Sequence, residues 1–265
     1  MPPASKRTRR YDPAKTRAAV LAQFALVREA VRTLTPEQLA RPTRLGDWTV
    51  RELAVHLTMA LGMLDRYLAE AEPLKQEVAL LEWPFRTADV AGQVSDGTRE
   101  LAASVTDLDA LYEERAARTA ELFASTADTR LMPTRFGAMT FADVVVTRTV
   151  ELTVHTDDLN HAVPELAVPH DRQALAACTR LLADALAVKA PGGSVEVRIP
   201  PYAVVQCVAG PKHTRGTPPN VVETDPLTWI RLATGRTGWA EALESAKAAA
   251  SGERADLSAV LPVMS

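Results

Sequence analysis

At Ala190-Pro191-Gly192-Gly193 the hydrophobic period of this chain changes. Upstream, apolar residues recur every three or four positions, as on amphipathic helices; downstream they alternate, as on half-buried strands. No single bundle and no single sheet satisfies both patterns. The chain therefore reads as a helical unit of about 190 residues followed by a small α+β unit.

Within the helical part, Val20, Phe24, Val27 and Val31 make a stripe on a helix that opens at Pro13. Thr35-Pro36-Glu37 is a second start, with Thr35 as cap and Pro36 in the first turn. Thr49 with Glu52 three residues on is a capping-box pattern, and its helix carries Leu53, His56, Leu57, Ala60, Leu64 and Leu68, with Pro73 near its end. An irregular stretch around Trp83-Pro84-Phe85 leads to one long helix expected over 96–126 and a turn-rich break over 133–140. Further helices are expected over 141–163, stopped by Pro164, and over 172–188. Beyond the Pro-Gly-Gly, Val195, Val197 and Ile199, then Val204, Gln206 and Val208, read as an antiparallel hairpin or meander. A strand over 220–223, a helix over 227–233 capped by Asp225-Pro226 and closed by Gly235, a helix over 239–250 and a last strand over 257–263 complete the reading. Residues 1–12 read as a disordered basic leader, 13–165 as a helical bundle and 166–265 as the α+β unit with its connecting helix.

Charge and cysteine usage narrow the function classes. With 30 basic against 33 acidic residues, a net charge of −3 and a pI near 6.0, the chain lacks the basic footprint of a nucleic-acid binder. Cys178 and Cys207 cannot build a disulfide framework and suit a reducing cytosol. No stretch approaches the ~18 apolar residues of a membrane span, and the basic run Lys6–Arg10 is followed by Tyr11-Asp12-Pro13, not by the apolar core of a signal peptide. The expectation is a soluble, cytoplasmic protein.

Chemistry concentrates on the histidines. Two of the five have a glutamate four residues earlier, Glu52/His56 and Glu151/His155. Four residues along a helix is about 40° of rotation and ~6 Å of rise, so Glu151 and His155 project from one face. They supply two thirds of a facial metal site. His56, from a neighbouring helix, is the obvious third donor, and two imidazoles with one carboxylate suit Zn²⁺ or another divalent ion with coordination positions left open. Asp158, three residues after His155, is placed to orient a ligand through its far nitrogen. The same spacing also describes an ordinary surface salt link, and a helical histidine is often only a satisfied, partly buried residue. Glu52 fits capping better than ligation. His161, His170 and His213 read as surface residues, and Cys178 and Cys207 as core and strand residues.

The segment Leu45-Gly46-Asp47-Trp48-Thr49-Val50-Arg51-Glu52-Leu53-Ala54-Val55-His56-Leu57, together with Glu151-Leu152-Thr153-Val154-His155-Thr156-Asp157-Asp158-Leu159, resembles the two signature blocks of the mycothiol-dependent maleylpyruvate isomerase N-terminal family, a branch of the DinB-like bundles. That resemblance implies a four-helix bundle that binds a divalent metal, usually zinc, through His56, Glu151 and His155. Asp225-Pro226-Leu227-Thr228-Trp229 and the run from Gly235 to Leu243 resemble the bacterial sterol-carrier-protein-like domain, which implies a mostly antiparallel sheet under helices around an apolar cavity. Trp229 and Trp239 read equally as core residues of such a domain. Six lysines among the 30 basic residues is the usage of a high-GC genome, in keeping with the actinobacterial producers of mycothiol.

Neither cysteine lies beside the proposed ligands, so a reaction needing a thiolate takes it from a cosubstrate, and the resemblance implies mycothiol. The expectation is a metal-dependent, thiol-cofactor isomerase or transferase acting on a small electrophilic substrate. Its rivals are a carrier that holds an apolar ligand in the C-terminal domain with the bundle as scaffold, and a bundle with a structural metal and no turnover. No arginine matches a dicarboxylate-binding position at this level, which weighs against maleylpyruvate itself as the substrate.

Overall fold

A computed structural model describes residues 9–211 and 218–264. Helix α1 (Pro13–Val31) is capped by Asp12, whose side chain accepts from the Lys15 amide, and α2 (Pro36–Leu39) by Thr35 and Gln38 acting reciprocally. Helix α3 (Val50–Leu68) opens on the Thr49/Glu52 capping box, and α4 (Ala91–Ser104) and α5 (Leu108–Ser125) follow an irregular segment containing the 3₁₀ turn Leu80–Phe85. Strands β1 (Leu131–Thr134) and β2 (Gly137–Thr140) form a hairpin that runs into α6 (Phe141–Ala162), and α7 (Arg172–Lys189) leads to the second unit.

α1, α3, α5 and α6 make a four-helix bundle in which α1 and α3 each pack against both α5 and α6. Its core is stitched by Phe24 of α1 stacked on Tyr112 of α5 at 4.8 Å, while the Tyr112 hydroxyl donates to the Ala54 carbonyl of α3 at 2.7 Å. α7 packs on α1 and α6 with one side and on the sheet with the other, so one apolar core runs through both units. Arg9 to Asp12 are held in place as well: Arg9 pairs with Asp184 of α7 and Tyr11 packs against the core.

The second unit is a four-stranded sheet in the order β4-β3-β5-β6, made of β3 (Val195–Ile199), β4 (Ala203–Cys207), β5 (Val221–Thr224) and β6 (Ala248–Ser251). β3 pairs antiparallel with β4 and parallel with β5, and β6 pairs antiparallel with β5. Helices α8 (Pro226–Ala233) and α9 (Trp239–Glu244) join β5 to β6, and α8 packs on α7. Trp229 is fully buried, its indole N–H donating to the Thr179 carbonyl of α7, and Trp239 packs at the edge of the core. No described helix is long and apolar enough to cross a membrane.

Five local expectations change. The helix read over 96–126 is two helices, because Asp107 turns its side chain onto the Ala110 amide and starts a new one. The break at 133–140 is the β1–β2 hairpin, turned at Gly137, whose φ is +115°. On β4 the buried residues are Ala203, Val205 and Cys207 while Val204 is exposed. The hairpin pairs Ile199 with Ala203 and Val197 with Val205, and directly opposed residues share a face. The helix over 239–250 ends at Glu244: Ala246 takes a φ of +53°, and the alanines after it pair with β5 as β6, so sheet pairing outweighs their helix propensity. Finally, 257–263 is not a strand. Leu257 and Val263 are buried anchors of an irregular segment whose amides at Val263 and Met264 donate to the Ala233 carbonyl.

Candidate metal centre

The site is built at the meeting of α3 and α6. At the start of α3 the Glu52 carboxylate accepts from the Thr49 amide at 2.6 Å and its hydroxyl at 2.8 Å, so Glu52 caps the helix and is spent there. One turn later His56 is turned inward, with 8% of its surface exposed. On α6, capped by Thr140, Glu151 and His155 lie one turn apart on the side facing His56. The Glu151 Oε2 stands 3.7 Å from His56 Nε2 and 3.6 Å from His155 Nε2, and the two imidazoles meet edge to face at 4.8 Å between centroids. Ligand atoms from all three residues lie within 4.8 Å of one another, the one such group of His, Cys and carboxylate residues among the described residues. Donors bound at 2.0–2.2 Å in a tetrahedral arrangement stand roughly 3.3–3.6 Å apart. The two carboxylate–imidazole spacings lie at or just above that range and the group as a whole spans up to 4.8 Å, so a divalent cation would draw the three donors together. The N, N, O donor set fits zinc or a neighbouring ion.

The far nitrogens are held too. His155 Nδ1 lies 2.8 Å from Asp158 Oδ2, which accepts its proton and leaves Nε2 directed at the centre. His56 Nδ1 lies 3.4 Å from the Thr98 hydroxyl. That hydroxyl donates its one proton to the Val94 carbonyl at 2.8 Å, so it meets the ring as an acceptor and again leaves Nε2 bare. Charge follows geometry. Burial lowers the His56 pKa. Burial pulls His155 the same way, but its hydrogen bond to Asp158 and the nearby Glu151 carboxylate reverse the effect and raise its pKa. Burial works against the charged Glu151, yet the two imidazoles and Arg148 hold its carboxyl well below the usual range.

Asp158 is fully buried and belongs to a larger network. Arg44, from the loop before α3, donates to Asp158 and Asp157 at 2.6 Å each. Arg231 of α8 grips Asp157 at 2.6 Å, and Arg236, just after α8, grips Asp158 at 2.9 Å. The second unit thus reaches across to the acidic pair at the back of His155. Sequence reasoning missed these arginines, since a partner 74 to 114 residues away leaves no periodic trace.

Outward from the three residues opens a cleft of about 680 Å³. Trp48, Met59, Met63 and Phe136 give it apolar walls and Arg236 reaches its rim. The Trp48 ring lies 5.0 Å from His56. Both cysteines are buried, and burial pushes the Cys178 thiol pKa far up. Of the remaining histidines, His161 is exposed as expected. His170 is not a surface residue: it is half-buried, with Nε2 3.3 Å from the Thr153 carbonyl, and burial lowers its pKa. His213 lies outside the described residues.

Two family models match the chain: the mycothiol maleylpyruvate isomerase N-terminal domain over residues 20–160 and the bacterial SCP ortholog over residues 171–263. No curated protein sequence matches. Among solved structures, the mycothiol-dependent maleylpyruvate isomerase is similar, with 14% identity, a TM-score of 0.55, and coverage of 86% of this chain and 90% of that one. A histidine-to-alanine mutant of that enzyme gives 14% identity, a TM-score of 0.56, and coverage of 91% and 93%. At this identity the likeness concerns the fold, a helical bundle followed by a small α+β domain.

Proposed function

Because this chain belongs to the mycothiol maleylpyruvate isomerase N-terminal domain family, we propose that it is a divalent-metal-dependent isomerase or transferase that uses a thiol cosubstrate, mycothiol or a close analogue, on a small electrophile. The observation that carries the reading is the convergence of His56, Glu151 and His155 from two helices onto one cation-sized space at the floor of a cleft. His56 and His155 offer Nε2 and Glu151 a carboxylate oxygen, with zinc the expected ion; a bound divalent cation supplies Lewis acidity and holds a sulfur as thiolate at neutral pH.

The other residues have definable tasks. Asp158 keeps the His155 proton on Nδ1, and Arg44 and Arg236 keep Asp158 ionised and fixed. Trp48, Met59 and Met63 shield the floor of the cleft from water. The chain's own thiols play no part: Cys178 and Cys207 are buried, so the nucleophile arrives from solution. The grip of Arg231 and Arg236 on the acidic pair behind His155 ties the C-terminal unit to this centre, which favours an enzyme over a carrier with a passive scaffold.

Elemental analysis of purified protein tests the proposal. We expect one divalent ion per chain in the wild type and loss of the ion in His56→Ala and His155→Ala at unchanged helical content. A wild type that takes up no stoichiometric metal, even after dialysis against zinc, would end it.

A further inference from the structure

One turn before Glu151 on α6 sits a guanidinium without a counter-charge. Arg148 is 4% exposed, and its Nε and Nη2 are occupied only by the neutral hydroxyl of Thr147, at 3.1 and 2.8 Å. No carboxylate forms an ion pair with it among the described residues; Glu151, the acid that influences it most, is engaged by two imidazoles. Burying a cation unpaired is among the costliest choices a fold can make, and folds retain one chiefly where function needs it.

Arg148 is not alone. Arg135, at the β1–β2 turn, lies near enough to act on Arg148 electrostatically. Its backbone N–H and Nε donate to the Tyr67 hydroxyl at 3.2 and 3.4 Å, while its Nη1 is shut off from solvent with no protein acceptor at all. Arg66 lies over the same Tyr67 ring at 4.8 Å, and Arg115 crosses Gly62, where even a β-carbon would come within 3.1 Å of its Nε. All four arginines line the cleft that holds His56, Glu151 and His155. Against them the lining sets two carboxylates, Glu151, already committed, and Asp47, which pairs with Arg99. Arg115 also meets Glu114 at 3.4 Å, whereas neither Arg148 nor Arg135 is paired with a carboxylate among the described residues.

We propose that Arg148 and Arg135 form an anion subsite of this cleft, about one helical turn from the His56–Glu151–His155 centre, which takes a carboxylate or phosphate group of the ligand. The guanidinium fork matches the paired oxygens of either group, and the surplus of positive charge draws such a ligand into the cleft. The inference deepens the reading of the cleft as a substrate site, but it rests on unpaired cations and not on a bound metal.

The test uses the full chain after chelator treatment, titrated calorimetrically with succinate in one arm and inorganic phosphate in the other, at fixed ionic strength. The wild type should bind at least one of them saturably, and Arg148→Gln should weaken that binding at least tenfold. The arm that responds identifies a carboxylate or a phosphoryl ligand. Arg148→Gln should also melt no lower than the wild type, because an uncompensated buried charge has been removed; a merely structural arginine would lower the melting temperature and leave affinity unmoved. Should Arg148→Gln fail to fold, Arg135→Gln is judged by the same tenfold criterion. Absence of saturable binding of both anions, or equal affinity in wild type and variant, overturns the subsite. Metal content, read separately, decides the metal reading on its own.

Discussion

Replacing Asp158 by asparagine keeps the shape of the side chain and removes its charge, which separates what that charge does from what its volume does. Asp158 is 0% exposed and accepts from His155 at 2.8 Å, Arg44 at 2.6 Å and Arg236 at 2.9 Å. The asparagine amide must turn its NH₂ toward at least one of these donors. Breaking a buried ion pair by removing one partner costs about 3–5 kcal/mol. Here Arg44 keeps Asp157 at 2.6 Å and both guanidinium side chains retain 18–19% exposure, so about 2–3 kcal/mol is the reasoned figure, or roughly 4–5 °C in melting temperature for a chain of this size. The same change loosens His155, and disturbing the group behind a metal-binding histidine costs about 10–100-fold in affinity. Asp157→Asn is the control. Asp157 holds Arg44 and Arg231 but does not touch His155, and Arg231 is 39% exposed, which lowers the expected loss to about 1–2 kcal/mol with zinc affinity kept within about twofold of wild type. Denaturant unfolding in chelator gives the stabilities, and competition with a chromophoric chelator gives the affinities. If the two variants bind zinc equally well, the reasoning that Asp158 acts through His155 is refuted, whatever happens to stability.

Zinc affinity should fall as pH falls, by up to about tenfold per unit below the His155 pKa. Burial lowers that pKa, but the contacts with Asp158 and Glu151 raise it above the ordinary histidine value, so the metal must displace a proton that persists toward neutrality. His56, whose pKa burial lowers, stays neutral and contributes little to the slope; a flat affinity from mildly acidic to mildly alkaline pH would contradict this assignment, and the same competition titration decides it. The native thiols should be silent toward an aromatic disulfide reagent. Cys178 and Cys207 are both buried and the Cys178 pKa is pushed up by burial, so labelling should track unfolding; rapid labelling of folded protein would show that a thiolate of the chain is accessible after all.

How much of this was legible in the sequence depends on the range of the interaction. Caps and stripes are local, and Thr35, Thr49, Pro13 and the apolar run of α3 mark their helices where the structure has them. Glu151 and His155 are also a local fact, since helical spacing alone sets them on one face. His56 needed more. Nothing periodic says which helix faces α6; residue type and a place on a neighbouring helix nominate His56, and the resemblance of the block around Gly46-Asp47-Trp48 strengthens the choice. The misread elements are those whose form is decided by a distant partner. Val205 faces inward because Val197 stands opposite it, and the alanines of β6 form a strand because β5 offers an open edge. The arginines obey the same rule, and they carry most of the difference between a motif and a site. The spacing in the sequence marks Asp158 as a partner for His155, but nothing local sets Asp157 or Arg148 apart from other helical charges. Only folding shows that the two acids sit at a junction with three arginines from two units while Arg148 is left with none. A chain that satisfies its buried aspartates so fully, and leaves a buried arginine beside the same cleft unpaired, has kept that arginine's partner for something it binds.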